Sequence, residues 1–234
     1  MGERRKSYGQ FCPVALASEL VAERWTPLVV RELLCGSRGF NDLHRGVPRM
    51  SVSLLARRLR ELERAGIVER QRRGRASEYH LTEAGEQLRP IIESLGVWGK
   101  RWLPRRLRSE HLDPDLLIWD IRRRIRTDRL PQRRVNVQFT IHLPSRANRY
   151  YWLVLEPAEV DVCYREPGFP VNLEVRAELA RLTAVWLGDA PLDAALRDRA
   201  IQLEGPRDLC RAFPQWLELN VFAPVERRAE ARPR

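Results

Sequence analysis

Residues 51–66, "SVSLLARRLRELERAG", hold the run of sequence that most restricts how this chain can fold. Leu55, Leu59 and Leu62 recur at i, i+4 and i+7, which places them on one face of a helix, and no proline or glycine interrupts the run before Gly66. Ser51 stands where a hydroxyl can accept from one of the first-turn N–H groups that a helix leaves unpaired. A leucine face of this kind must be covered by other elements. The opposite face, Ser53, Arg57 and Arg60 at the same spacing, is small and cationic.

The covering elements are legible on both sides. Over residues 12–23, Val14, Ala17, Leu20 and Val21 fall at helical spacing behind Pro13, a residue suited to a first turn. Thr26 and Pro27 make a cap-and-start signal for "LVVRELLCG", which Gly36 can end, and "FNDLHRGV" reads as a short third helix before Pro48. Beyond Gly66, "IVERQ" and "SEYHL" alternate as two short strands about the basic turn "RRGRA", with Gly74 able to take a positive φ. Helices followed by a basic hairpin are the plan of a winged helix-turn-helix.

Charge says what that plan is for. The formal net charge is +11, and residues 1–109 hold 22 Lys+Arg against 12 Asp+Glu, leaving the remainder nearly balanced. Such asymmetry is expected when one module meets a polyanion. Lys6 and Lys100 are the only lysines. The arginine preference fits genome composition as well as it fits guanidinium chemistry. The major groove of B-DNA admits an α-helix whose outward face is small and basic. Ser51, Ser53, Arg57, Arg58 and Arg60 are therefore the candidates for groove contact, and Arg72, Arg73 and Arg75 for phosphate or minor-groove contact. Taken alone, "RRLRELER" also reads as a solvated Arg/Glu surface; the order of elements around it favours the DNA reading.

After "LPRRLRSEHLDPD" the pattern changes. Asp113 and Pro114 open a helix, "DLLIWDIRRRI", and then the apolar period becomes two, with Val135, Val137, Phe139, Ile141 and Leu143 forming one buried strand face. "RYYWLVLEP", "EVDVCY" and "VNLEV" read as further strands. A helix "AELARLTAVWLG", a short helix "LDAALRD", a strand "AIQLEG" and a last helix "PRDLCRAFPQWL" follow. The fold class is α+β: a winged helix-turn-helix over residues 1–109, then over 110–234 an α+β domain with helices on a mostly antiparallel sheet.

Several function classes find no support. Cys12, Cys35, Cys163 and Cys210 form no CxxC pair and the histidines no HExxH, so neither a metal site nor a cofactor is expected. No Gly-x-Ser-x-Gly elbow, phosphate-binding glycine loop or Cys/His/Asp cluster marks the second half as an enzyme. No run approaches a membrane span and the N-terminus is unlike a secretory signal, which predicts a cytoplasmic chain with reduced thiols.

Over roughly residues 10–103 the chain resembles the HxlR family of bacterial transcriptional regulators. The segments that carry this are "CPVALASELVAERWTPLVVREL", "GFNDLHRGVPRMSVSLLARRLRELERAGIVER", "EYHLTEAGEQL" and "VWGKRW". The resemblance implies a homodimer on double-stranded operator DNA, its interface made by the N- and C-terminal helices, with residues 82–102 as the dimerisation helix. Independently, Leu88, Ile91, Ile92, Leu95 and Trp98 give that segment an apolar stripe. Some members sense oxidants through a cysteine beside the first helix, and Cys12 stands there; a small packing residue is the other reading. Over roughly residues 113–217, "LARLTAVWLGDAPLDAALRDRAIQLEGPRDLCRAF" resembles the sterol-carrier-protein type of lipid-binding fold. That implies a tunnel between sheet and helices for an apolar small-molecule effector. Its lining candidates are Trp119, Phe139, Trp152, Tyr164, Trp186, Phe213 and Trp216, which also read as plain core. The function expected is a sequence-specific, homodimeric regulator modulated by such a ligand. The alternatives are a carrier or enzyme domain tethered to DNA, a thiol-based redox regulator, and charge-driven non-specific binding.

Overall fold

Four helices precede the first strand: α1 (Pro13–Val21), α2 (Thr26–Leu34), α3 (Phe40–Gly46) and α4 (Val52–Arg64). The protein is described as a computed structural model covering residues 7–74, 76–103 and 107–228. Leu55, Leu59 and Leu62 of α4 are fully buried and share a core with Val29, Val30 and Leu33 of α2 and Leu43 of α3. Each such side chain stabilises the fold by about 1.5–3 kcal/mol. Glu32, buried among these helices, accepts from Arg31 at 2.6 Å and Ser37 at 3.3 Å, while Arg31 also donates to the Gly46 carbonyl at 3.0 Å. Only glycine lets α3 come so near: a Cβ at Gly46 would lie 1.9 Å from Cδ of Glu32.

Thr26 is not the cap of α2. Trp25, at φ 77°, holds that position, and Thr26 and Pro27 are the first two helical residues. Beyond α4, β1 (Val68–Arg73) and β2 (Ala76–Leu81) pair antiparallel, from Val68 opposite Leu81 to Arg73 opposite Ala76. Gly39 bridges to Glu78 on the other side of β2, one residue of pairing too short to leave a sequence pattern.

Residues 82–102 are two helices and not one: α5 (Glu83–Glu86) and α6 (Arg89–Trp102). Pro90 explains the break, because its ring cannot sit one turn after a helical carbonyl but fits the start of a new helix. Thr82 caps α5 by accepting from Gly85 N. The chain divides into two compact units, through Gly96 and from Val97. This division lies earlier than residue 109, because the end of α6 is bonded into the second unit. Lys100 donates to the Leu187 carbonyl at 2.5 Å and to Asp189, and Arg227 donates to the Lys100 carbonyl at 3.0 Å.

The second unit contains α7 (Pro114–Arg122), β3 (Val135–His142), β4 (Asn148–Glu156), β5 (Glu159–Cys163), β6 (Leu173–Glu178), α8 (Leu179–Trp186), α9 (Leu192–Arg197), β7 (Ile201–Glu204) and α10 (Arg207–Trp216). Asp113 caps α7, its carboxylate accepting from Asp115 N and Leu116 N, each at 3.1 Å. The sheet order is β5-β4-β3-β6-β7, antiparallel except for the parallel pair β3 and β6. Val137, Phe139 and Ile141 of the central strand pack with Ile118 and Ile121 of α7 and with Val185 and Trp186 of α8. One expectation fails here, because β3 is buried on both faces. Asn136, 1% exposed, lies under the segment before β6 and donates to the carbonyl of Phe169 at 3.0 Å. Thr140 is bonded to Glu174 at 3.0 Å.

Candidate nucleic-acid interface

α4 separates an apolar inner face from a polar outer one. Ser51 is its N-cap, accepting from Leu54 N at 3.3 Å, and the helix has no acidic residue in its first turn. Its N-terminal end thus keeps the positive end of the backbone dipoles unopposed, a favourable setting for phosphate. Ser51, Ser53, Arg57 and Arg60 are all exposed. Among the described residues Arg60 makes no ion pair. Arg49 and Val52 are exposed beside them and were missed by sequence reasoning. Val52 is the first residue of α4, and the N-terminal residues of a reading helix are the ones that reach base edges.

Arg58 does not belong to this surface. It is 3% exposed, and its guanidinium bonds Glu61 at 2.5 Å and Glu23, beyond the end of α1, at 3.0 Å. Position 58 lies three residues after Leu55, so it points inward with the leucines, and a cation there must be paired. Arg58 therefore ties α4 to the segment that follows α1.

β1 and β2 present the remaining candidates. Arg73 opposite Ala76 leaves Gly74 and Arg75 as the link, with Gly74 at φ 62°. Arg75 lies outside the described residues. Arg72 and Arg73 are exposed. Arg73 approaches Glu78 at 3.2 Å, and its hydrogen bond holds that carboxyl below the ordinary glutamate range. Arg72 has no ion pair among the described residues. The unit therefore offers a capped helix with an outward cationic face beside a basic hairpin.

The HxlR-like helix-turn-helix family matches residues 20–107. YvaP, an uncharacterized HTH-type transcriptional regulator of Bacillus subtilis, is 34% identical over 98 residues, 40% of this chain and 91% of the relative. The chain belongs to the HxlR-like helix-turn-helix family. A second relative, an uncharacterized HTH-type transcriptional regulator of Mycobacterium tuberculosis, is 41% identical over 116 residues, 44% of this chain and 73% of its own length. Among solved structures, the redox regulator HypR in its reduced form is 32% identical over 38% of this chain and 91% of that one, with a TM-score of 0.37. The HxlR-like region makes the protein a DNA-binding transcriptional regulator, and its relatives are named as regulators, not enzymes.

Outside the HxlR-like region, the aromatic residues expected to line a ligand tunnel are not gathered around an opening. Phe139, Trp186, Phe213 and Trp216 are buried in the core of the second unit, with Phe139 and Trp216 each 6.1 Å from Phe213 between ring centroids. Trp119 is buried on another side of α7, under Arg122 at 4.2 Å and Arg123 at 5.7 Å. Trp152 is half-buried on the sheet face away from Phe139, since it alternates with the inward Tyr151 and Leu153. Tyr164 is exposed and edge-on to Tyr151 at 5.8 Å. A cavity of about 570 Å³ lies elsewhere, against Pro191, Leu192, Leu219 and Val221. Cys12 is the exposed N-cap residue of α1. Among the described residues no group of three or more His, Cys, Asp or Glu side chains could hold a metal ion, and no helix is long and apolar enough to cross a membrane.

Proposed function

We propose that the protein is a sequence-specific regulator that binds a palindromic operator as a homodimer, with α4 in the major groove and the β1–β2 hairpin against the neighbouring phosphates. The observation that carries this is the outer face of α4: two serines and two arginines, exposed beside a capped N-terminus, on a helix whose other face is fully buried. Dimerisation has its own support. Ile91, Leu95, Trp98 and Trp102 form an exposed apolar stripe along α6, and Val14 and Leu16 of α1 are exposed as well. A two-fold pair of reading helices would meet half-sites about one helical turn, roughly 34 Å, apart or a multiple of that.

In the same proposal the second unit is a ligand-binding module of sterol-carrier-protein type, and an apolar effector bound there alters operator affinity. Its helices on a mixed five-stranded sheet fit that layout. The tunnel expected between sheet and helices is occupied by Phe139, Phe213 and Trp216, so the effector is better sought at the cavity beside Leu219. A redox reading rests on the exposure of Cys12 at the start of α1.

Selection of bound fragments from random duplex DNA, with and without lipid extract and with and without oxidant, tests all three. The expected product is an inverted repeat of constant spacing whose affinity shifts with extract. Recovery of unrelated sequences would sink the specific reading, and a shift with oxidant that Cys12→Ser removes would favour the thiol over the ligand.

A further inference from the structure

The cavity of the second unit has a wall chemistry that points to a class of ligand, and the inference rests on the effector reading above. Pro191, Leu192, Leu219 and Val221 form its apolar wall, with Arg124 and Asp189 among its polar groups. Its volume, about 570 Å³, falls in the range where small-molecule sites lie, roughly 300–1,000 Å³. It is open to solvent, which suits a compact molecule better than a long chain needing enclosure.

The cavity lining sets two carboxylates, Asp189 and Glu218, against Arg124, and the balance turns towards an anion only with Lys100 and Arg227, which stand behind Asp189. The Asp189 carboxylate is bonded by Arg227 at 2.8 and 2.9 Å and also by Lys100, so at least two cations meet that one acid. Arg124 donates from Nε to the carbonyls of Glu218 and Leu219 at 3.2 and 2.7 Å, and its Nη2 lies 3.0 Å from Oε1 of Glu218. Its Nη1 makes no hydrogen bond among the described residues, and the Glu218 side chain opposite is mostly in water. An anionic head group therefore finds a guanidinium edge still able to donate, and must compete there with the exposed carboxylate of Glu218.

We propose that this cavity binds a compact organic carboxylate, its apolar body against Leu192, Leu219 and Val221 and its carboxylate on Arg124. Asp189, in the same wall, holds Lys100, so an occupant also bears on the last turn of α6.

The test uses the full chain and a matched pair of probes, 4-butylbenzoate and its uncharged amide 4-butylbenzamide, followed by titration calorimetry. The acid should bind saturably and at least tenfold more tightly than the amide. Arg124→Gln should bring the acid down to the affinity of the amide, and Val221→Trp, at an exposed wall position, should weaken both at least tenfold while leaving the thermal transition in place. Equal affinity for acid and amide, absence of saturable acid binding at millimolar concentration, or indifference to Val221→Trp would each overturn the site. Operator titrations run beside these separate the two ideas. Acid binding that Val221→Trp weakens, with no effect on operator affinity, leaves the site and removes the effector role. An operator response to lipid extract that survives Val221→Trp keeps the effector role and places the effector outside this cavity.

Discussion

Two stretches of this chain, residues 57–73 and residues 122–134, hold seven arginines each, and they are paired to different extents. In the second stretch, Arg122 lies over Trp119 and donates to the Val160 carbonyl at 3.2 Å, Arg123 meets Asp120 at 3.5 Å, and Arg124 meets Glu218 at 3.0 Å. Arg126 and Arg129 share Asp128 at 3.2 and 3.4 Å, Arg134 meets Glu156 at 2.6 Å, and Arg133 is exposed with no ion pair among the described residues. In the first stretch Arg58 is paired twice over, but Arg60, Arg64 and Arg72 make no ion pair among the described residues. Density of positive charge thus does not identify a surface for a polyanion. A better guide is a group of neighbouring cations that carboxylates leave unpaired, as Arg60, Arg64 and Arg72 are, since such charge can displace condensed counterions at little internal cost.

The largest effect that would test this division is expected in the second unit. Burial pushes the Asp189 carboxyl up, but hydrogen bonds and attraction from Arg227 and Lys100 outweigh it and hold the group below the ordinary aspartate range. A carboxyl depressed on folding stabilises the fold fully above its unfolded value, about 3.9, and loses that contribution as pH falls through the lower folded value. Asp189→Asn should therefore destabilise the second unit by about 3–5 kcal/mol near neutral pH, because the buried Lys100 is left without its counter-charge. The deficit should shrink as the medium is acidified below about pH 4. Urea unfolding at several pH values, followed by hydrogen exchange in α8 and α9, reads it. A deficit that is constant with pH would show that the aspartate acts by shape and not by charge.

Next come paired substitutions on α4. Arg58→Ala should cost the first unit about 2–3 kcal/mol of stability, below the upper range for a broken buried pair because Glu23 and Glu61 still reach water. Arg57→Ala or Arg60→Ala should leave stability within about 0.5 kcal/mol but weaken operator binding by about 1–3 kcal/mol and relax sequence preference. Thermal melts and operator titrations on the same three variants would break the comparison if Arg60→Ala lowered the melting temperature as much as Arg58→Ala. Equal loss on operator and random DNA would instead make Arg57 or Arg60 a phosphate contact.

How much of this was legible in the sequence follows from the range of the interactions involved. The helices, the hairpin and the outward face of α4 depend on spacing within a dozen residues, and spacing is what a sequence displays. Arg58 was misplaced although its position, three after Leu55, places it inward; its type suggested solvent, and the partner that makes burial tolerable, Glu23, is 35 residues away. The break between α5 and α6 was signalled by Pro90 and overridden by the apolar stripe running through it. Asn136 and Thr140 read as the wet side of β3 because a polar side chain does not announce that another segment will cover it. The cavity is least legible of all, since its walls come from segments around residues 124, 188–192 and 218–224 that only the folded chain brings together.

The smallest effect concerns the hairpin. Arg72 projects from β1 with no ion pair among the described residues, whereas Arg129 in the second unit shares Asp128 with Arg126. If Arg72 neutralises one phosphate, Arg72→Ala should reduce the slope of log K against log salt by about 1 on specific and random DNA alike, with little change in sequence preference. Arg73→Ala should act in the same direction but less strongly, because contact with DNA must compete with the hydrogen bond to Glu78. Arg129→Ala should change the slope less than Arg72→Ala, because Asp128, though shared with Arg126, opposes part of the charge it removes. Binding isotherms at four or five salt concentrations decide the matter. Equal slopes for Arg72→Ala and Arg129→Ala would mean that local pairing does not sort the arginines of this chain, and total charge would then be the better guide to where DNA lies.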